Sequence, residues 1–216
     1  MSRPKHLGLP LAIQSIMPTK SSVRSINVHM REMIMNKISG HHFVLVLSGV
    51  TESTEGLEDI LFEAGCDNAL IFYKKNTVYL EFDREGASFE EAVFSAIRAV
   101  EGTGIGIKVK RIEPDMIVNL SDIAKRTDLS RQLVSMLVSG DRGDGTFPSP
   151  ISKITSLNPL WSWSAVAKWM FDHNKLEEEK VWQAYLIEDL NGALELRNQE
   201  RAQRRQELLK KLESAA

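Results

Sequence analysis

The 216-residue chain is 43% hydrophobic and 26% charged, the balance of a globular protein with enough chain for a real core, which excludes a disordered or fibrous class. Its single cysteine, Cys66, excludes an internal disulfide and a multi-cysteine metal site, and no apolar run is long enough to span a bilayer. The net charge of −2 conceals a segregation: residues 43–114 carry seven basic against thirteen acidic groups, residues 115–174 carry six of each, and residues 1–42 carry six basic groups against Glu32 alone. The acidic middle is therefore expected to stand off a polyanion, and any nucleic-acid contact falls to the balanced segment and the basic N-terminus. A cytoplasmic protein with no membrane partner is expected.

Residues 1–41 contain three prolines, scattered small polar residues and no sustained period. They read as a disordered basic arm, able to add phosphate contacts, or as sequence upstream of a true start at Met35. The apolar stretch Leu7–Ile16 is interrupted by Pro10 and Gln14 and does not make a secretory signal.

Residues 42–114 read as strand, helix, strand, strand, helix, strand. His42–Ser48 is apolar on both faces and is expected to be a central strand. A helix capped near Ser53 follows, with Leu57, Ile60, Leu61 and Ala64 at helical spacing and Glu55, Glu58, Asp59 and Glu63 on its wet face. Ala69–Tyr73 and Thr77–Phe82 form a tight hairpin across Lys74-Lys75-Asn76. Ser88 and Glu91 have capping-box spacing before the stripe Ala92, Val93, Ala96, Ile97 and Val100. Ile107–Ile112 is the last strand. This split βαβ order is similar to ferredoxin-like domains, a scaffold that does not by itself name a function.

No catalytic set is expected there. His41 and His42 are adjacent on a strand and point to opposite faces. Cys66 lies beside Asp67, which raises a thiol pKa. No Gly-rich phosphate loop, cofactor motif or metal-ligand spacing occurs, so the chain is not read as an enzyme.

Residues 115–174 carry the sharper pattern. LSDIAKRTDLSRQLVSMLVSG, from Leu120 to Gly140, reads as a helix-turn-helix. Ser121 is expected to cap the first helix, Ile123 and Ala124 face inward, and Asp128 takes the turn position that favours positive φ. Ser130 caps the second helix, which buries Leu133, Val134, Leu137 and Val138, and Gly140 ends it. Ser130, Arg131, Gln132, Ser135 and Met136 remain outside. Of these, Ser130, Arg131, Gln132 and Ser135 are expected to read bases, with Lys125, Arg126, Arg142 and Lys153 on backbone phosphates. The bland alternative is a helical hairpin whose polar face meets water.

DRGDGTFPSPI follows Gly140, dense in Gly and Pro, and is expected to form an ordered wing. An extended piece around Leu160–Trp163 then leads to a helix capped by Ser162 or Ser164. The helix-turn-helix, the Gly-containing loop, FPxPI, and the spacing Trp161-x(4)-Val166-x(2)-Trp169 together resemble the winged-helix DNA-binding domains of phage regulators and excisionases, related to the MerR type. The resemblance covers Met116 to Phe171 and implies a sequence-specific binder of double-stranded DNA. Trp161 and Trp169 are expected to pack the core rather than stack on bases.

Residues 175–216 read as helix with a break at Asn191-Gly192. Trp182, Leu186, Leu190 and Leu194 fall on one stripe, expected to serve dimerisation. The fold class expected is therefore α+β: a ferredoxin-like domain, a winged helix-turn-helix domain and a C-terminal helical segment. A homodimeric transcriptional regulator is the first reading. In it the acidic domain binds a partner or small effector, or dimerises; the others are an antitoxin-like or other adaptor whose acidic domain binds a basic protein, and a small enzyme on the ferredoxin-like domain.

Overall fold

The structure, a computed structural model, describes residues 39–197 and 199–214. The basic arm and the alternative start at Met35 thus lie outside the described residues. The described residues form a mixed α+β fold of seven helices with a four-stranded antiparallel sheet and a two-stranded one.

The larger sheet is built from β1 (Ser39–Ser48), β2 (Ala69–Lys74), β3 (Thr77–Gly86) and β4 (Lys108–Glu113) in the order β2-β3-β1-β4, every pair antiparallel. β1 is central, as its apolar run requires. It begins earlier than expected, because Ser39–His42 pair with Asp83–Gly86 and the buried His41 ring meets Phe89 edge-on. The β2–β3 connection puts Lys75 and Asn76 at φ 49° and 61°, the left-handed pair that matches the twist of a two-residue hairpin.

Two helices, α1 (Leu57–Glu63) and α2 (Phe89–Glu101), join Phe43, Leu45, Leu47, Val78, Leu80 and Phe82 in one core. The α2 stripe is buried throughout, and Ser88 Oγ accepts from the Glu91 N–H at 3.1 Å. The cap expected near Ser53 is not formed. Thr51 and Thr54 instead close a turn of their own, the Thr51 N–H donating to Thr54 Oγ1 at 3.0 Å, and the helix starts a turn later behind Gly56. The opposite sheet face carries exposed Leu70, and Phe72 stacked on Tyr79 at 4.9 Å.

The second core surrounds α3 (Leu120–Thr127), α4 (Arg131–Ser139) and α5 (Trp163–Asp172), with β5 (Ile117–Val118) paired to β6 (Trp161–Ser162). Trp161 is 1% exposed and Trp169 is 8% exposed, in keeping with the packing role expected of both.

A long helix, α6 (Glu178–Leu196), ties the two cores together. Val181 and Ala184 enter the second core, Ile187 enters the first, and Leu186, Leu190 and Leu194 pack against the first. The stripe assigned to dimerisation is thus largely occupied within the chain; of its four residues only Trp182 is exposed. The break expected at Asn191-Gly192 does not occur either. Asn191 donates from Nδ2 to the Ile112 carbonyl (2.9 Å) and accepts from the Ile112 N–H (2.8 Å), so it satisfies the outer edge of β4 as a strand would. Two such bonds outweigh the roughly 1 kcal/mol that Gly192 costs a helix. The helix ends instead at Leu196, and α7 (Gln199–Glu213) follows, almost wholly exposed. Among the described residues no helix is long and apolar enough to cross a membrane.

Candidate nucleic-acid interface

The pair α3–α4 is set by local backbone chemistry. Asn119, not the expected Ser121, caps α3: its Oδ1 accepts from the Ser121 and Asp122 N–H groups, while Asp122 Oδ2 accepts from the Asn119 N–H at 3.0 Å. Asn119-x-x-Asp122 completes a reciprocal box that Ser121 cannot, which is why the helix starts two residues earlier. Asp128 closes α3 at φ 57° and Gly140 closes α4 at φ 79°, both in the left-handed region expected of them. Ser130 caps α4, accepting from the Leu133 N–H at 3.1 Å. Its oxygen is therefore partly engaged, leaving the hydroxyl hydrogen to reach outward.

Val134 and Leu137 are buried beneath α4, with Leu133 and Val138 half-buried. Arg131, Gln132 and Ser135 are exposed on its other side, and Met136 is half-buried. Four of the expected phosphate-binding and base-reading cations, Lys125, Arg131, Arg142 and Lys153, are exposed and have no ion-pair partner among the described residues. Arg126 is different. Its guanidinium lies 5.0 Å over the Trp163 ring with Nη1 buried and without a hydrogen-bond partner. Burial lowers its pKa, against the pull of Asp122, Asp115 and Glu113. Arg126 thus packs on the second core, less open than the four exposed cations.

The loop expected to form a wing is ordered but packs on its own chain. Residues 140–150 fold back against α5 rather than projecting. Asp141 accepts from Ser139 Oγ at 2.6 Å, Asp144 accepts from Thr146 N–H and Oγ1, and His173 Nε2 lies 3.1 Å from Asp144 Oδ2. Trp169 Nε1 donates to Thr146 Oγ1, and Trp161 Nε1 to the Pro148 carbonyl. Trp169 also stacks on His173 at 3.8 Å. The hydrogen bonds from Thr146 and His173 hold the Asp144 carboxyl well below the usual carboxylate range, and the same Asp144 contact raises the His173 imidazole. The acids of this loop thus face their own chain.

Antiparallel pairing begins only at Ile151, where Ile151 N–H donates to the Leu160 carbonyl (2.8 Å) and Leu160 N–H to the Ser152 carbonyl (3.0 Å). Pro148 and Pro150 lack an N–H and cannot enter a ladder, so the hairpin forms past them. Its tip runs from Lys153 to Pro159. Between this tip and the start of α3 lies a shallow cleft of about 210 Å3, lined by Asn119, Ser121, Arg131, Lys153, Leu157 and Asn158 among others. Arg131 and Lys153, named from separate stretches of sequence, are therefore brought to one concavity. Asn119, Leu157 and Asn158 were missed. The Asn-x-x-Asp spacing was a usable signal for the first, whereas nothing local marks the other two.

The acidic module offers less. Cys66 is buried, and its thiol is pushed up chiefly by that burial, with Asp67 adding to the rise and Arg84 opposing it. A broad depression of about 430 Å3 lies between Gly65, Asp67, Asn68, Asp83, Arg84 and Glu85. Its one cation is already engaged: Arg84 donates to Ser95 Oγ, the Gly65 carbonyl and Asn68 Oδ1. Among the described residues no group of three His, Cys, Asp or Glu side chains is arranged to hold a metal.

Compared with family models, curated proteins and solved structures, the chain matches none.

Proposed function

We propose that the chain is a sequence-specific, double-stranded-DNA-binding regulator of bacterial or phage type, in which a winged helix-turn-helix module reads the duplex and a ferredoxin-like module binds a partner or effector. The order β2-β3-β1-β4 with both crossover helices in one core supports the ferredoxin-like reading. The α3–α4 pair followed by the Ile151–Leu160 hairpin supports the winged one. One observation carries the DNA reading: α4 leaves Arg131, Gln132 and Ser135 exposed on an edge that shares its cleft with Lys153. A short helix with a polar, cationic N-terminal edge is the shape the major groove admits. Homodimerisation onto two half-sites belongs to the same proposal. With Leu186, Leu190 and Leu194 engaged, it needs a contact elsewhere, and Leu208, Leu209 and Leu212 of α7 are exposed.

The test is binding to DNA from upstream of the protein's own coding sequence at two salt concentrations. Specific binding persists where non-specific binding collapses; equal collapse of specific and random duplexes rejects the reading.

The adaptor reading is favoured by a different observation, exposed Leu70 beside the Phe72–Tyr79 pair on the uncapped face of the acidic sheet. Leu70→Asp leaves DNA binding intact and abolishes any protein complex in that reading.

A further inference from the structure

We infer that the hairpin tip carries an apolar wedge, Leu157, that enters the minor groove and unstacks a base step, so that the protein kinks the DNA it reads. The inference rests on the DNA-binding reading above and goes beyond it, since groove reading alone requires no deformation.

Leu157 is 97% exposed, and Ile151 and Ile154 of the same hairpin are 56% and 68% exposed. Three large apolar side chains within seven residues face water, a placement that marks a contact surface. Two hydrogen bonds and a proline shape the tip. Ser156 N–H donates to the Lys153 carbonyl at 2.9 Å, Asn158 N–H donates to Ser156 Oγ at 3.1 Å, and Pro159 fixes the backbone behind them. A leucine held out on such an apex needs little further ordering to insert.

Charge and position select the occupant. No Asp or Glu lies between Gly145 and Phe171, and Lys153 at the base of the tip is exposed and shares its cleft with Arg131, whereas Lys168 is held by Asp172, so the tip itself meets a phosphate backbone without repulsion. An apolar protein surface would gain nothing from that bias. Leu157 also borders the same cleft as Arg131, so the tip and the N-terminal edge of α4 face one ligand. With Arg131 in the major groove, the adjoining tip faces the minor groove, about 6 Å wide. Apolar wedges there separate base steps at a cost of a few kcal/mol, least at flexible pyrimidine–purine steps such as TA.

The experiment takes the duplexes that the wild-type chain retains from a randomised library and probes them, bound and free, with permanganate, which oxidises unstacked thymines. Wild type is expected to retain duplexes enriched in a TA step and to make its thymines reactive. Leu157→Ser is expected to return that reactivity to the level of the free duplex, while retention falls by less than about tenfold because the phosphate and base contacts persist. Leu157→Met restores reactivity. The far-UV spectrum of Leu157→Ser checks its folding, which an exposed side chain leaves unchanged. Retained duplexes with no thymine more reactive than in free DNA overturn the wedge and leave the DNA reading standing. Failure to retain any duplex overturns both.

Discussion

The two cores handle their charges in opposite ways. Around the larger sheet, charged side chains knit the chain to itself: Arg111 pairs with Glu113 and Asp115, Glu101 holds Arg197 and Lys108, and Arg84 is fixed by three neutral acceptors. In the second region acids and bases are equal in number, yet most of the acids are engaged and most of the bases are not. Asp122 completes a cap, Asp141 and Asp144 fold into the loop, Asp172 takes Lys168, and Lys125, Arg131, Arg142 and Lys153 keep no partner among the described residues. A zero formal balance can still present a locally cationic edge where Arg131 and Lys153 share a cleft, because a ligand meets charges by their placement rather than by their sum.

The largest effect that could break this comparison lies in the packing beneath the cationic edge. Trp161→Ala should cost about 3–5 kcal/mol, because it empties a fully buried site and orphans the Pro148 carbonyl. Urea unfolding measures it. A variant as stable as wild type would free Trp161 for a surface role.

Asn191→Ala should cost about 1–3 kcal/mol, leaving the Ile112 N–H and carbonyl without partners at the sheet edge. The loss should appear as faster hydrogen exchange in β4. Unaltered exchange would show that α6 is held by its leucines alone.

Asn119→Ala should lose about 0.5–2 kcal/mol, while Ser121→Ala stays within about 0.5 kcal/mol. The reverse order in thermal or urea unfolding would restore the cap to Ser121.

The smallest effect is the pH dependence of the loop. His173 has a raised pKa, so its stabilising contact with Asp144 is fully present below the ordinary histidine value near 6.5 and is lost as pH rises through the raised one. Asp144 has a lowered pKa, so its contribution is present above 3.8 and is lost as pH falls through the lowered value. The loop is therefore best anchored between those two ordinary values. Trp169, stacked on His173, reports this by fluorescence, and His173→Phe should flatten the profile.

What sequence could reveal followed the range of the forces involved. The α2 stripe, the left-handed Asp128 and Gly140, and the Lys75-Asn76 hairpin are set by neighbours within a few residues, and each was legible. The stripe Leu186–Leu194 was legible as a covered face but not as one covered by its own chain, since periodicity names no partner. Gly and Pro density marked a loop after Gly140, but the ladder could start only after Pro150, which moved the hairpin. At the site, Arg131, Gln132 and Ser135 were readable as the face left over from burial. The stacking of Arg126 on Trp163 was not readable, because a helical cation gives no local sign that an aromatic ring from a distant segment will cover it.

The most direct test of the locally cationic edge is the discrimination of Arg131→Ala between a retained duplex and the same duplex with one guanine replaced, measured at fixed salt. If Arg131 reads that guanine, the wild type should distinguish the two by about 1–3 kcal/mol, and the variant should lose that margin at the one position while keeping its preferences elsewhere. Undiminished discrimination at every guanine of the duplex would contradict the placement of α4 in the groove.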